Sequence, residues 1–274
     1  MRSTCLLVLA FGLFLVMDVP AAQSPAVPAF AKDLPKVKSG DPVFEFNHKD
    51  LTGLYPYTRK NKLEDLQKVF TVKDGLLVIS GEDFGAVTTK DEYSDYHLVT
   101  EWKWGGKTYA PREQATRDSG ILLHCVGEDG VAGGQWMESQ ECQIIEGGCG
   151  DFIMVAGKNK PSLTCEVRNA GGQSYYEKGG MSVTRDQGRY NWWGRDPNWK
   201  DTIGFRGERD VESPVGEWNR MEVVCDGDTI TNIVNGYVVN VGTKSSHAKG
   251  KIQFQSEGAE IIFRKIEIRP LIKK

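Results

Sequence analysis

The hexamer at 141–146 (Glu-Cys-Gln-Ile-Ile-Glu) holds the densest candidate chemistry in this 274-residue chain. Side chains alternate along a strand, so Glu141 and Gln143 point one way and Ile144 the other. A carboxylate beside an amide can bind sugar hydroxyls, hold a cation or move a proton. The same row also suits an ordinary solvated strand face. Two residues tip the balance towards chemistry: His124 in 120–126 (Gly-Ile-Leu-Leu-His-Cys-Val) and Glu101 in 96–104 (Tyr-His-Leu-Val-Thr-Glu-Trp-Lys-Trp). If these strands lie side by side, Glu101, His124, Glu141 and Gln143 converge on one hollow. Imidazole titrates near neutral pH and binds cations when neutral. His124 is therefore an expected general base, or a metal ligand with Glu141, although a packed core histidine fits the apolar run equally well.

The resulting assignment gives Glu141 and His124 the catalytic or metal-binding roles. Gln143 and Glu101 hold substrate hydroxyls. Oxygen and imidazole donors suit several divalent cations, so a divalent metal is the expected cofactor, its identity open. Glu257, in the Gln-Ser-Glu-Gly segment, is a further substrate-binding candidate, with a plain turn residue as the alternative. Trp193 joins it from the cluster Tyr190, Trp192, Trp193 and Trp199, because aromatic rings offer flat platforms for sugar C–H faces. The same rings serve equally well as staples of a long loop. His48, His97 and His247 sit in less organised surroundings and are expected at the surface. Phosphate-binding loops, a Gly-x-Ser-x-Gly elbow, His-Glu-x-x-His and dinucleotide fingerprints are absent from the sequence.

The elements that must position these groups read as short alternating strands. Segments 75–80, 96–104, 120–126, 141–145, 219–225, 229–234, 251–255 and 260–268 fit, most of them bounded by Gly, Asp, Asn or Pro. The turns at 226–228 (Asp-Gly-Asp) and 235–236 (Asn-Gly) suit tight hairpins. Only 61–69 has a helical look. In 96–104, Tyr96, Leu98, Thr100, Trp102 and Trp104 share a core-like face, and His97, Val99, Glu101 and Lys103 share the other. Such alternation favours an all-β, two-sheet antiparallel sandwich over an up-and-down barrel. From 147 to 214 the pattern breaks into Gly pairs and aromatics, expected as loops that wall a binding site.

The N-terminal stretch has a charged start (Met1-Arg2), a short apolar run and small residues at 19–22, the pattern of a secretory signal peptide over 1–22. The run is too brief to span a bilayer. Export to a periplasmic or extracellular space is the expectation, with no membrane span once the leader is removed. Residues 23–40, with Pro25, Pro28 and Pro35, read as a flexible linker, and 41–274 as one domain. A net charge of −3 argues against a dedicated nucleic-acid surface. Five cysteines remain after the leader, an odd count in a compartment that permits disulfides, and none forms a Cys-x-x-Cys pair.

An ordered set of segments then resembles the 3-keto-disaccharide hydrolase domain family. These are 44–53 (Phe-Glu-Phe-Asn-His-Lys-Asp-Leu-Thr-Gly), 70–77 (Phe-Thr-Val-Lys-Asp-Gly-Leu-Leu), 93–102 (Tyr-Ser-Asp-Tyr-His-Leu-Val-Thr-Glu-Trp) and 118–121 (Asp-Ser-Gly-Ile). They continue with 141–146, 216–219 (Gly-Glu-Trp-Asn), 234–236 (Val-Asn-Gly), 250–258 (Gly-Lys-Ile-Gln-Phe-Gln-Ser-Glu-Gly) and 263–266 (Phe-Arg-Lys-Ile). The resemblance implies a concanavalin A-like jelly roll and a carbohydrate substrate cleaved at the glycosidic bond after oxidation at C3. Its Glu-x-Gln-Ile falls on Glu141, Gln143 and Ile144. Glu146 stands where the family usually has Asp, Asp118 where it usually has Asn, and His124 where it often has Arg. A lectin-like sugar-binding module and a two-carboxylate glycoside hydrolase remain the alternatives.

Overall fold

Alternating polar and apolar residues sort the chain into strands with one wet and one dry face, and two such sheets must bury their dry faces together. The structure, a computed structural model, describes residues 27–273. In chain order the strands are β1 (Phe44–Glu45), β2 (Leu54–Thr58), β3 (Phe70–Lys73), β4 (Leu76–Ile79), β5 (Gly85–Thr89), β6 (Tyr96–Thr108), β7 (Asp118–Val126), β8 (Glu138–Ile145) and β9 (Phe152–Val155). There follow β10 (Leu163–Ala170), β11 (Gln173–Tyr176), β12 (Met181–Arg185), β13 (Gly188–Tyr190), β14 (Asn219–Asp226), β15 (Thr229–Val234), β16 (Tyr237–Thr243), β17 (Lys251–Ser256) and β18 (Ala259–Pro270). All eight segments expected as strands are strands.

They form an all-β jelly-roll sandwich of two antiparallel sheets. The larger has the order β11-β10-β16-β15-β14-β6-β18-β4-β3, with β1 added on β18 and β12 on β10. The smaller runs β13-β9-β8-β7-β17-β5-β2. Leu98, Trp102, Trp104 and Phe263 of the larger sheet face Ile121, Leu123, Cys142, Ile144 and Phe254 of the smaller in one core. Trp102 and Trp104 meet edge-to-face at 5.2 Å, a geometry that adds about 0.5–1.5 kcal/mol beyond burial. Both expected hairpin turns are present: Asp226 pairs with Thr229, and Asn235 and Gly236, at φ 48° and 82°, join β15 to β16. Two positive φ values in succession give the twist a hairpin needs, which Asn-Gly tolerates.

Three expectations require correction. Residues 61–69 form turns rather than a helix. The 147–214 stretch contributes five strands, β9 to β13, with irregular chain after them, so it is not a run of loops. Residues 27–40, read as part of a flexible linker, are docked on the outer face of the larger sheet. There Ala31 is buried, Phe30 meets Tyr176 edge-on at 5.5 Å and Val37 packs with Val224, Ile233 and Val238. Cys125, Cys142, Cys149, Cys165 and Cys225 are all free and buried, Cys125 in a small cluster apart from the main core. The leader at 1–22 lies outside the described residues. Among the described residues no helix is long and apolar enough to cross a membrane.

Candidate active site

The hollow forms on the outer face of the smaller sheet. Registers Gly120↔Gln143 and Leu122↔Glu141 place these four residues in adjacent rows, while Ile121 and Cys142 turn to the core. β17 lies against the other edge of β7, with Phe254 opposite Ile121, so Gln255 falls beside Gly120. A Cβ at Gly120 would lie 2.1 Å from Glu141 Oε1 and 2.3 Å from Gln255 Oε1. Glycine in a strand interior is costly, and here it leaves the space in which both side chains lie. The hollow encloses about 340 Å³ and is lined on its polar side by Asp118, Glu141, Gln143, Arg189 and Glu257.

The polar groups in this hollow are incompletely satisfied. Glu141 is 3% exposed, and its Oε1 has no hydrogen-bond partner; the same holds for Asp118 Oδ1 and for both amide atoms of Gln255. Native proteins rarely leave such atoms buried and unpaired, and a ligand is one reason they do. Asp118 Oδ2 is 3.2 Å from Arg112 Nη2, which also donates to Thr116 O and to Asp201 Oδ1. At the far edge Arg189 donates to Asp151 Oδ2 at 2.7 Å, and buried Asp151 also accepts from the Trp192 amide at 2.7 Å and from Arg195.

Electrostatics follow from this crowding. Burial, more than any neighbour, lifts Glu141 to about 8, and the Asp118 carboxylate adds to the rise while Arg189 opposes it. Asp118 is lifted to about 7, again chiefly by burial, against the pull of Arg112 and Arg189. Glu257 is pushed well above the usual carboxylate range by burial, Asp118 and Glu141. Three interacting carboxyl groups thus hold fewer charges than sites at neutral pH, so acid and base forms coexist in one hollow.

The structure brings together only part of the expected constellation. Glu141, Gln143 and Glu257 line the hollow. Glu101 does not: β6 belongs to the larger sheet, and Glu101 accepts from Arg264 Nε at 2.7 Å on that sheet's outer face. His124 does not either. The β7–β8 register shifts between Leu123 and Val126, and His124, at φ 51°, turns inward against Tyr96 with ring centroids 5.5 Å apart. It is fully buried, with neither ring nitrogen partnered, and burial lowers it to about 4. Glu141 and His124 therefore stand on opposite faces of the sheet and cannot ligate one ion. Among the described residues no three His, Cys, Asp or Glu groups are disposed to hold a metal; the Glu141–His124 pair does not fit the metal role, and no step below runs through a cation.

Trp193 is also corrected. It is 3% exposed, packs edge-on against Trp192 and donates Nε1 to Val238 O at 2.9 Å, so it staples chain to core. Glu146 plays a comparable part, accepting from Arg117 and from the Gly204 amide. Asp118, Gln255 and Arg189 were missed as site residues. The signal for Gln255 was Gly120, whose position inside a strand marks close approach by neighbours.

Residues 43–269 match the model of the 3-keto-alpha-glucoside-1,2-lyase-like domain. No curated protein matches the chain. Similar solved structures include a provisionally assigned glycosyl hydrolase from Parabacteroides distasonis, 18% identical, covering 83% of this chain and 92% of its own, with a TM-score of 0.47. A second such protein from that organism is 23% identical over 80% and 99%, with a TM-score of 0.44. A galectin-like-fold protein of unknown function from Bacillus subtilis is 10% identical over 87% and 100%, with a TM-score of 0.48.

Proposed function

We propose that this chain, which belongs to the 3-keto-alpha-glucoside-1,2-lyase-like domain family, cleaves glycosidic bonds of sugars oxidised at C3, with Glu141 as the base. A C3 carbonyl acidifies the hydrogen at C2. The Glu141 carboxylate takes that proton, and the C2–H electron pair moves onto the C3 oxygen as an enediolate. Its collapse breaks the C1–O bond, and the leaving oxygen takes a proton from a neutral carboxyl, Glu257 or Asp118. Water then adds at C1 and a proton returns to C2, so the net change is hydrolysis. Arg189 and the Gln255 amide are the donors suited to the enediolate oxygen, the kind of preorganised stabilisation that contributes most to such reactions.

The observation that carries this reading is the Glu141 carboxyl: sealed from bulk water, unpartnered at Oε1 and flanked by two further carboxyl groups. A base raised towards neutrality is matched to abstraction from carbon at physiological pH. The same cluster also favours one rival, a conventional glycoside hydrolase using Asp118 and Glu141 as its two carboxylates. Incubating the protein with a 3-keto-disaccharide and with its unoxidised parent separates them. Release of free sugar from the keto form alone supports the proposal. Equal cleavage of both supports the rival, and binding without turnover of either would make the chain a sugar-binding module.

A further inference from the structure

The hollow is polar at one end only. Away from Asp118 and Gln143 its wall is apolar, made by Trp136 and Val155 and roofed by Ala132 and Gly133 of the chain between β7 and β8, while Ile153 sits between Glu141 and Arg189 in the cross-strand row. This patch grows from a small secondary cluster on the sheet's outer face, in which Leu122, Cys125, Ala132, Met137 and Val155 are buried and Trp136 and Ile153 half-covered. Trp136 is held rigidly. Its Nε1 donates to Gly85 O at 3.0 Å, its ring stacks on Phe84 at 22° and 6.4 Å, and Arg59 caps Phe84 from beyond at 4.9 Å.

What distinguishes this wall is how few of its polar groups are free for a hydroxyl. The amides of Ala132, Gly134, Gln135 and Trp136 all donate to carbonyls of the same loop, and that of Met137 donates to Gln253 Oε1. The Gln135 carbonyl is taken by Arg59 and the Gln253 amide by Thr88. A second pyranose pressed here would bury more hydroxyls than the Gly133 amide and Gln135 Nε2 could partner, at about 1–3 kcal/mol for each one left over. A flat apolar ring would lose nothing and gain the Trp136 face.

We infer that the group leaving from C1 is an aryl aglycone seated on Trp136, so that the substrates are 3-keto aryl glycosides rather than 3-keto disaccharides. The inference rests on the reading above for its chemistry and on the split lining of the hollow for its substrate. The sugar ring lies over Gly120 among the carboxyl groups, and the glycosidic oxygen sits where polar lining meets apolar. Trp136 selects substrate and takes no part in proton transfer.

The test compares phenyl and methyl 3-keto-glucosides in the wild type, in Trp136→Leu and in Trp136→Phe, reading KM for turnover. Calorimetry with unoxidised phenyl glucoside, methyl glucoside and a glucosyl-glucose reads binding independently of any reaction. The phenyl compounds should bind about tenfold more tightly than the methyl ones. Trp136→Leu should erase that preference, leaving the methyl compounds within about twofold of wild type, and Trp136→Phe should restore most of it. The inference is overturned if Trp136→Leu weakens both classes alike, if phenyl and methyl compounds bind equally, or if the disaccharide binds more tightly than the phenyl glucoside. Absence of turnover on every keto substrate would overturn the catalytic reading alone, because calorimetry still judges the aglycone.

Discussion

Glu101 and Glu141 are both strand glutamates on outward faces, yet they live in opposite worlds. On the larger sheet Glu101 accepts from Arg264 and Arg220, Glu222 accepts from His97 at 2.8 Å, and the charges close into a ladder in contact with water. On the smaller sheet Glu141, Asp118 and Gln255 are buried with polar atoms left over. Charge and alternation alone do not distinguish the two. What does is their surroundings: β13, at the edge of the smaller sheet, brings Arg189 to the hollow, and the 127–137 loop brings Ala132, Gly133 and Trp136 over it. A solvated carboxylate pair is worth little, whereas a dried, unpaired carboxyl stays in a fold when something else is to occupy the space.

Breaking the comparison at Glu141 should have the largest effect. Glu141→Gln keeps shape and removes the base, so kcat on a 3-keto-glycoside should fall by about 10²–10⁴-fold, with sugar affinity retained in calorimetry. Equal losses in affinity would point to a binding role only. Gly120→Ala places a methyl where Glu141 and Gln255 now lie, and displacing the base by about an ångström should reduce kcat by about 10²-fold. A variant with full activity would show that the two side chains need not lie over this glycine.

Smaller effects sharpen the electrostatics. The Asp118 charge raises Glu141, and a base must be ionised to act, so activity climbs as pH rises through its value. Asp118→Asn should therefore move the acidic limb of the kcat profile to lower pH, by about one unit; no shift, or one to higher pH, would deny the coupling. Away from the hollow, burial lifts Glu212 to about 8 while its Oε1 accepts from Trp104 Nε1 at 2.6 Å. Its folded value lies above the ordinary one, so its contribution to stability is present below the usual carboxylate range and is lost as pH rises through about 8. Glu212→Gln should gain on the wild type between pH 5 and pH 9, by about 2–4 °C in Tm for each kcal/mol relieved. Glu101→Gln should be the least eventful, leaving turnover within about twofold and stability within about 1 kcal/mol.

Much of the architecture was legible because strand alternation and Asn-Gly turns are local signals. The face pattern of 96–104 is as expected, with Tyr96, Leu98, Thr100, Trp102 and Trp104 buried. Which sheet a strand joins is not local, and that is why Glu101 was placed in the hollow: its side was right, its sheet was not. His124 failed for another reason. Parity counting assumes regular pleating, and a register shift beyond Leu123 turns the next side chain through the sheet. The aromatic cluster gave no hint of its division, with Trp192 and Trp193 interior staples and Trp136, outside the cluster, on the hollow's wall. Glu141, Gln143 and Glu257 share the hollow because each lies on or beside a strand whose parity holds.

The central claim is that the Glu141 carboxyl removes the C2 hydrogen of a 3-keto sugar. Its most direct test follows that hydrogen by NMR, using a C2-deuterated 3-keto-glycoside in light water with wild type and Glu141→Gln. The account predicts slower cleavage than with the protiated compound, loss of the label from the released sugar, and neither cleavage nor label loss above background in the variant. Cleavage by wild type with the deuterium still at C2, or label loss undiminished in Glu141→Gln, would contradict it.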